Sequence, residues 1–269
     1  MLSMTRFSVK SKCLVPWVKF IWHFNIENAN IYHKLLPTDC IDIVLNLSNN
    51  MIYETGSRKI IAQPFHINGL RDKYSYIHQT GTIRIFGISF YSFGVLPFVH
   101  KSLKYIQNEI IDLYTLSTPL AQKLKSAVSC STTDKTITFI EKALCSELQV
   151  NSDDIHKANL IGDFIQTDDN ITIQSFCEEH EINIKTFERT VLYYTGYTPK
   201  ILRRIKRFQT ASNQLIYQNP VNLSGIAYDN SFTDQAHFIK EFRKFSGVAP
   251  RTFQQEKITV KENTKYSYI

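Results

Sequence analysis

Apolar and polar positions follow two different rhythms along the chain. In the first ~115 residues the runs are short and the period is two. Val18, Phe20, Trp22 and Phe24 are spaced by Lys19, Ile21 and His23, the repeat of a pleated strand. Ile41 to Leu47, Met51 to Thr55, Tyr74 to His78 and Thr82 to Phe90 are further runs rich in β-branched and aromatic residues. Ser48-Asn49-Asn50, Gly56-Ser57, Asn68-Gly69 and Gly81 separate them as turn signals. This rhythm predicts an antiparallel sheet or barrel-like domain over residues 1–115.

From Leu116 onward the period lengthens. Pro119 can open a helix over Leu120 to Val128. Asp134 to Leu148 carries Ile137, Ile140, Leu144 and Leu148 at helical spacing, with polar Ser129 to Thr133 as the link. Residues 116–152 are therefore read as a helical connector and 153–256 as an all-α domain. The predicted fold class is α+β. Residues 257–269 lack an apolar face and are expected to form a frayed tail.

Two stretches of the helical region have the same design. Thr172 can cap a helix that turns Ile173, Phe176 and Cys177 inward. Glu181 and Ile182 make a turn, and Asn183 caps a second helix with Phe187 and Val191 inward. That leaves Lys185, Glu188 and Arg189 pointing out. About 50 residues later Asn222 can cap a helix with Leu223, Ile226 and Ala227 inward. Asn230 and Ser231 form its turn, and Thr233 is expected to cap a helix burying Phe238, Phe242 and Phe245. Gln235, Ala236, Ile239 and Lys240 face outward there, with Arg243 and Lys244 further along. Two short helices sharing one apolar face, the second with a free polar face, form a helix-turn-helix. Its repetition weighs more than a single match.

Charge sharpens this picture. The whole chain carries a formal +7. From Lys185 to Arg251 there are eleven basic and four acidic residues, so this stretch holds as much net charge as the entire protein. Thr198-Pro199 introduces one long helix, Lys200 to Tyr217, whose first half contains Lys200, Arg203, Arg204, Lys206 and Arg207. Concentrated cations suit a phosphate backbone. Two ordinary helical hairpins with solvated charges would be the bland alternative.

Other chemistries find little support. The sequence has no H-x-x-x-H pair, no G-x-S-x-G elbow, no phosphate-cradling glycine loop and no Cys/His cluster, so neither an enzyme nor a metal or cofactor site is expected. Asp39 and Asp42 read as a turn cap and a strand-edge residue rather than a catalytic pair. Trp17, Trp22, Tyr74 and Tyr76 read as sheet core rather than the lining of a ligand cavity. The five scattered cysteines suit reduced structural thiols. Val15 to Ile26 is too short and too polar to span a membrane. Together these predict a cytoplasmic protein.

The residues also resemble a family, the AraC/XylS-type bacterial transcriptional regulators. The second unit reads Ile226-Ala227, Ser231-Phe232-Thr233-Asp234-Gln235-Ala236-His237-Phe238, Phe242-Arg243-Lys244, Gly247-Val248-Ala249-Pro250 and Phe253. This is similar to the signature I-A-x-x-x-G-F-[ST]-D-Q-[SA]-H-F, then F-[KR]-K…G-V-x-P…[YF]. Gly196-Tyr197-Thr198-Pro199 with Arg207, Ala211 and Leu215 resembles the family's G-x-[ST]-P…R…A…L run. The resemblance covers about Asp153 to Gln254. Two turn positions depart from it, with Glu181 and Ser231 standing where the family has glycine, and Gly225 lies inside a helix. Pro37-Thr38-Asp39-Cys40-Ile41-Asp42-Ile43-Val44-Leu45-Asn46, Gly69 and Phe86-Gly87-Ile88-Ser89-Phe90 look like the sensor half of some members.

The resemblance implies sequence-specific binding of double-stranded DNA, with two recognition helices in successive major grooves. It assigns Lys185, Glu188, Arg189, Gln235, Ala236, Ile239 and Lys240 to base reading. Thr172, Arg203, Arg204, Arg243 and Lys244 are the phosphate candidates, while Arg207 is divided between bracing and DNA contact. Control is expected through a small-molecule effector or homodimerisation of the N-terminal half, with RNA polymerase as a further partner. The alternatives are a DNA-binding dimer that senses nothing, or a small-molecule binder with a degenerate helical tail.

Overall fold

A computed structural model of the chain describes residues 4–218, 221–259 and 266–267. The N-terminal half is an antiparallel sheet built on two long strands, β2 (Val18–Leu35) and β7 (Ser75–Tyr91), paired along almost their full length. On its other edge β7 takes β3 (Cys40–Asn46) with its C-terminal part and β4 (Ile52–Thr55) with its N-terminal part. β1 (Thr5–Phe7) pairs with β2, β5 (Arg58–Ile61) with β4, β6 (Phe65–Asn68) with β3, and β8 (Ile110–Asp112) with β6. The Gly56-Ser57 turn signal becomes the two-residue loop between β4 and β5, with Gly56 at φ +59°.

Gly81 corrects the sequence reading. It ends no strand. At φ +91° it lies inside β7, opposite Ala29, where the register slips between Ile26 and Ala29 and Asn28 has φ 52°. A glycine with positive φ lets a strand bend through such an irregularity instead of stopping, so the two short runs around it form one strand. Thr5–Phe7, Arg58–Ile61, Phe65–Asn68 and Ile110–Asp112 escaped the pattern because each has only three or four residues.

Strand alternation sorts two cores. On β3, Ile41, Ile43 and Leu45 join a large cluster with Ile88 and Phe90. Val44 faces the other way, into a smaller cluster of Trp22, Ile31, Met51, Tyr53, Ile83 and Ile85. The large cluster continues without a break into the helices as far as Phe253. One apolar core therefore joins the sheet to the C-terminal half.

After α1 (Leu96–Val99), a 3-10 turn (Leu103–Ile106) and α2 (Leu113–Leu116), the connector forms the helical hairpin α3 (Thr118–Ala127) and α4 (Thr133–Glu147), within a residue or two of expectation. Helices α5 (Ser152–Gln166), α6 (Ile173–Glu179), α7 (Ile184–Thr195), α8 (Pro199–Tyr217), α9 (Leu223–Asp229), α10 (Gln235–Ser246) and α11 (Pro250–Thr259) complete the chain. The expected frayed tail is described only in part. Residues 257–259 continue α11, and Tyr266–Ser267 (β9) pairs in parallel with the end of β2. Its other residues lie outside the described set. No helix among the described residues is long and apolar enough to cross a membrane.

Candidate nucleic-acid interface

The two helix pairs repeat each other bond for bond through their first helices and turns. Thr172 accepts from the Ser175 amide at the start of α6, and Asn222 accepts from the Gly225 amide at the start of α9. The amide of Ile182 closes onto the Cys177 carbonyl at 2.9 Å, and that of Phe232 onto Ala227 at 3.0 Å. Between them Glu181 and Ser231 stand at φ 52° and 55°. These residues occupy the left-handed conformation that glycine would adopt at little cost, so both turns take that geometry without a glycine.

The second unit then runs one residue longer. Its cap is Asp234, which accepts from the His237 amide at 2.7 Å, and α10 begins at Gln235. This corrects the expectation for Thr233, which lies one position outside the helix. Fifty residues separate the turns and fifty-one separate the helices that follow, because a residue is inserted before α10. The longer offset persists. Thr195 and Ser246 each turn a hydroxyl back to a carbonyl four residues earlier, at 2.8 Å. Gly196 and Gly247 then end α7 and α10 at φ 81° and 77°, and Pro199 and Pro250 open the next helices.

This offset pairs Lys185 with Ala236, Glu188 with Ile239 and Arg189 with Lys240. Lys185, Glu188, Arg189, Ala236 and Lys240 are exposed, as are Thr172, Arg243 and Lys244. Ile239 is half-buried against the core. Gln235 is partly covered and accepts at 2.8 Å from Ser224 Oγ. The second surface is thus more apolar at its centre, with its cations at Lys240, Arg243 and Lys244.

Arg203 and Arg204 sit differently. Arg203 lies over the Phe164 ring at 4.5 Å and donates to the Ile171 carbonyl. Arg204 pairs through Nε with Glu241 and covers Phe245. Arg207 donates to the Ser231 carbonyl at 3.0 Å, and Lys206 to the Thr167 carbonyl at 3.0 Å. Most of the basic run on α8 is therefore turned toward its neighbours, while Lys200 is exposed. Glu241, whose side chain is only 8% exposed, is the hub: Arg204, Arg207 at 3.9 Å and His237 at 3.2 Å all approach it. His237 Nδ1 accepts from the Thr233 amide, so Nε2 carries the proton that Glu241 receives. Sequence reasoning missed Glu241 because a lone acidic residue in a basic stretch looks like solvated surface.

The N-terminal half reaches the helical units at several places, through Leu70, Tyr74 and Leu103 among others. Tyr197 Oη donates to the Leu70 carbonyl at 3.2 Å. A Cβ on Gly196 would lie 2.6 Å from the Leu103 carbonyl oxygen, and one on Gly247 would lie 2.5 Å from the Tyr74 ring. Arg71, between Leu70 and Tyr74, points back to Ser75 and to Asn68 at 3.1 Å. Nearby Asp42, bonded by the Ser89 hydroxyl, is pushed up to about 6 by burial, and buried His66 is lowered to about 4 for the same reason. A cavity of about 30 Å³ lies among Leu35, Cys40, Asp42, Asn68 and Arg71, room for about one water.

Two family models match separate parts of the chain. Residues 176–256 match the helix-turn-helix domain family, and residues 10–112 match a domain of unknown function (DUF6597). Among solved structures, ToxT from Vibrio cholerae O395 is 13% identical, with 87% of this chain and 95% of that chain covered and a TM-score of 0.46. Wild-type ToxT from Vibrio cholerae strain SCE256, solved with an unsaturated fatty acid bound, is 14% identical over 87% and 94% at a TM-score of 0.44. A probable AraC family transcriptional regulator from Rhodopseudomonas palustris CGA009 is 22% identical over 37% and 91% at 0.30. No curated protein matches the chain significantly.

Proposed function

We propose that the chain is an AraC/XylS-type transcriptional regulator by its C-terminal double helix-turn-helix region, and that it reads double-stranded DNA with α7 and α10 in successive major grooves. The observation that carries this reading is the repetition of the two units through their first helices and turns, each leaving basic residues of its second helix exposed. Lys185, Glu188 and Arg189 are the base-reading set of the first unit, and Gln235, Ala236, Ile239 and Lys240 that of the second. A good bidentate contact discriminates by ~1–3 kcal/mol. Ala236 and Ile239 offer only apolar contact, so the first unit supplies more of the selectivity. Thr172, Arg243 and Lys244 face the phosphates. Arg203 and Arg204 serve mainly as braces that fix both units on α8.

Control belongs to the N-terminal half. The segment Leu70–Tyr74 contacts both units and, through Arg71, the polar interior of the sheet, so a change in the sheet domain reaches both recognition helices at once. Either an effector or self-association can supply that change, and a thermal-shift screen with metabolites, read beside the oligomeric state, separates the two.

The decisive experiment is binding of the full chain to random duplex DNA and to its own upstream region across a salt series. Affinity should fall steeply with salt, with one fragment preferred. Arg189→Glu and Lys240→Glu should each lower the affinity and reduce the slope by about one or more. Binding unaffected by either reversal, or no binding at low salt, would overturn the reading.

A further inference from the structure

Outside the DNA-facing surface, two thiols meet. Cys13, in the turn that precedes β2, and Cys145, in the last turns of α4, place their sulfurs 3.0 Å apart although 132 residues separate them in sequence. Both are free thiols, Cys13 exposed and Cys145 half-buried. The approach is held by neighbours. One turn before Cys145, buried Glu141 accepts from the Lys10 amide at 3.0 Å, the Ser11 amide at 2.9 Å and the Ser11 hydroxyl at 2.7 Å. That carboxylate clamps the segment ahead of β2 along α4 and sets Cys13 over Cys145. A disulfide spans about 2.05 Å, so a shift of about 1 Å along an exposed turn closes the gap.

We propose that Cys13 and Cys145 are an oxidative modification site, forming a reversible disulfide when the protein meets a hydroperoxide. The thiolate of Cys13, the solvent-facing sulfur, attacks the terminal oxygen of the hydroperoxide. The O–O bond breaks, the departing alkoxide (or hydroxide, from hydrogen peroxide) takes up the proton that the Cys13 thiol released and leaves as an alcohol or water, and the sulfur becomes a sulfenic acid. Cys145 sulfur then attacks Cys13 sulfur, the S–O bond breaks, and the hydroxide takes up the Cys145 proton and departs as water. Two electrons pass from the sulfur pair to the peroxide, and a dithiol reductant returns them. The Cys13 thiol is pushed up to about 11, chiefly by its hydrogen bond with Cys145, so the first step quickens as pH rises from 7 toward 9. The product fastens the chain's first residues to the connector hairpin.

Treatment of the folded, reduced full-length chain with hydrogen peroxide tests this. The intact mass should fall by about 2 Da, peptide mapping should join Cys13 to Cys145, and dithiothreitol should reverse both changes. Cys13→Ser and Cys145→Ser should each abolish the loss, whereas Cys130→Ser should keep it. Oxygen added to separate thiols, a bridge between any other cysteines, or no reaction at pH 9 would overturn the proposal. The wild-type peptide map decides the matter even if a variant misfolds.

Discussion

Glu241 is the sharpest place to test how the second unit is held. Replacement by glutamine keeps the shape and one carbonyl oxygen but removes the charge that Arg204, Arg207 and His237 share. Loss of one partner from a fully buried ion pair costs about 3–5 kcal/mol, whereas an exposed pair is worth about 0.2–1 kcal/mol. Here the Glu241 side chain is 8% exposed and the side chains of Arg204 and Arg207 are 23% and 20% exposed. The cations thus keep some water, and the expected loss lies between the two limits, at about 2 kcal/mol. Urea unfolding followed by far-UV circular dichroism should show it, and thermal unfolding should show a fall in Tm of about 4–8 °C. The cycle completed with Arg204→Gln and the double variant should return a coupling of about 1 kcal/mol or more, because the second lesion removes a charge already orphaned by the first. A loss under about 0.5 kcal/mol, or two lesions that simply add, would refute the view that this carboxylate is the clasp between α8 and α10.

Two further outcomes follow from the same structure. Gly196→Ala puts a side chain at φ +81° and 2.6 Å from the Leu103 carbonyl oxygen. It should cost more than the ~1 kcal/mol of the left-handed conformation alone, and urea unfolding that shows a neutral change would exclude a tight seam there. His66 is lowered from 6.5 to about 4 by burial, so the folded state holds it neutral while the unfolded chain takes up a proton. Its contribution is complete above pH 6.5 and is lost as pH falls toward 4, by about 3 kcal/mol in all. His66→Gln should flatten that acid limb in urea midpoints measured from pH 7 to 4, and an unchanged limb would show that other groups control it.

Much of the architecture was legible from the chain because each signal had a local cause. Thr172, Asn183 and Asn222 cap as their side chains dictate, and Phe187, Val191, Phe238 and Phe242 bury at helical spacing. The misses also have causes. Gly81 reads as a turn in any local window, yet its positive φ serves a strand whose partner slips register alongside it. Thr233 and Asp234 are both good caps, and only the tertiary position of α10 chooses between them.

The candidate interface was legible in sequence as a basic run but not as a set of exposed cations, for a reason that concerns charge. A run such as Arg203, Arg204, Lys206 and Arg207 has one appearance in sequence, whether it meets phosphates or the carbonyls and carboxylates of its own fold. On α8 it chiefly does the latter: Ile171, Thr167 and Ser231 offer carbonyls and Glu241 a carboxylate. The cations left exposed on the two units, Lys185, Arg189, Lys240, Arg243 and Lys244, are fewer and lie at matching places in a duplicated design. Net charge therefore overstates the exposed basic surface available to the proposed DNA partner, and the repeat is the better guide to it. In a helix that links the two proposed reading heads, cations that brace the heads set their spacing, and on the proposed reading that spacing would select the DNA both can grip.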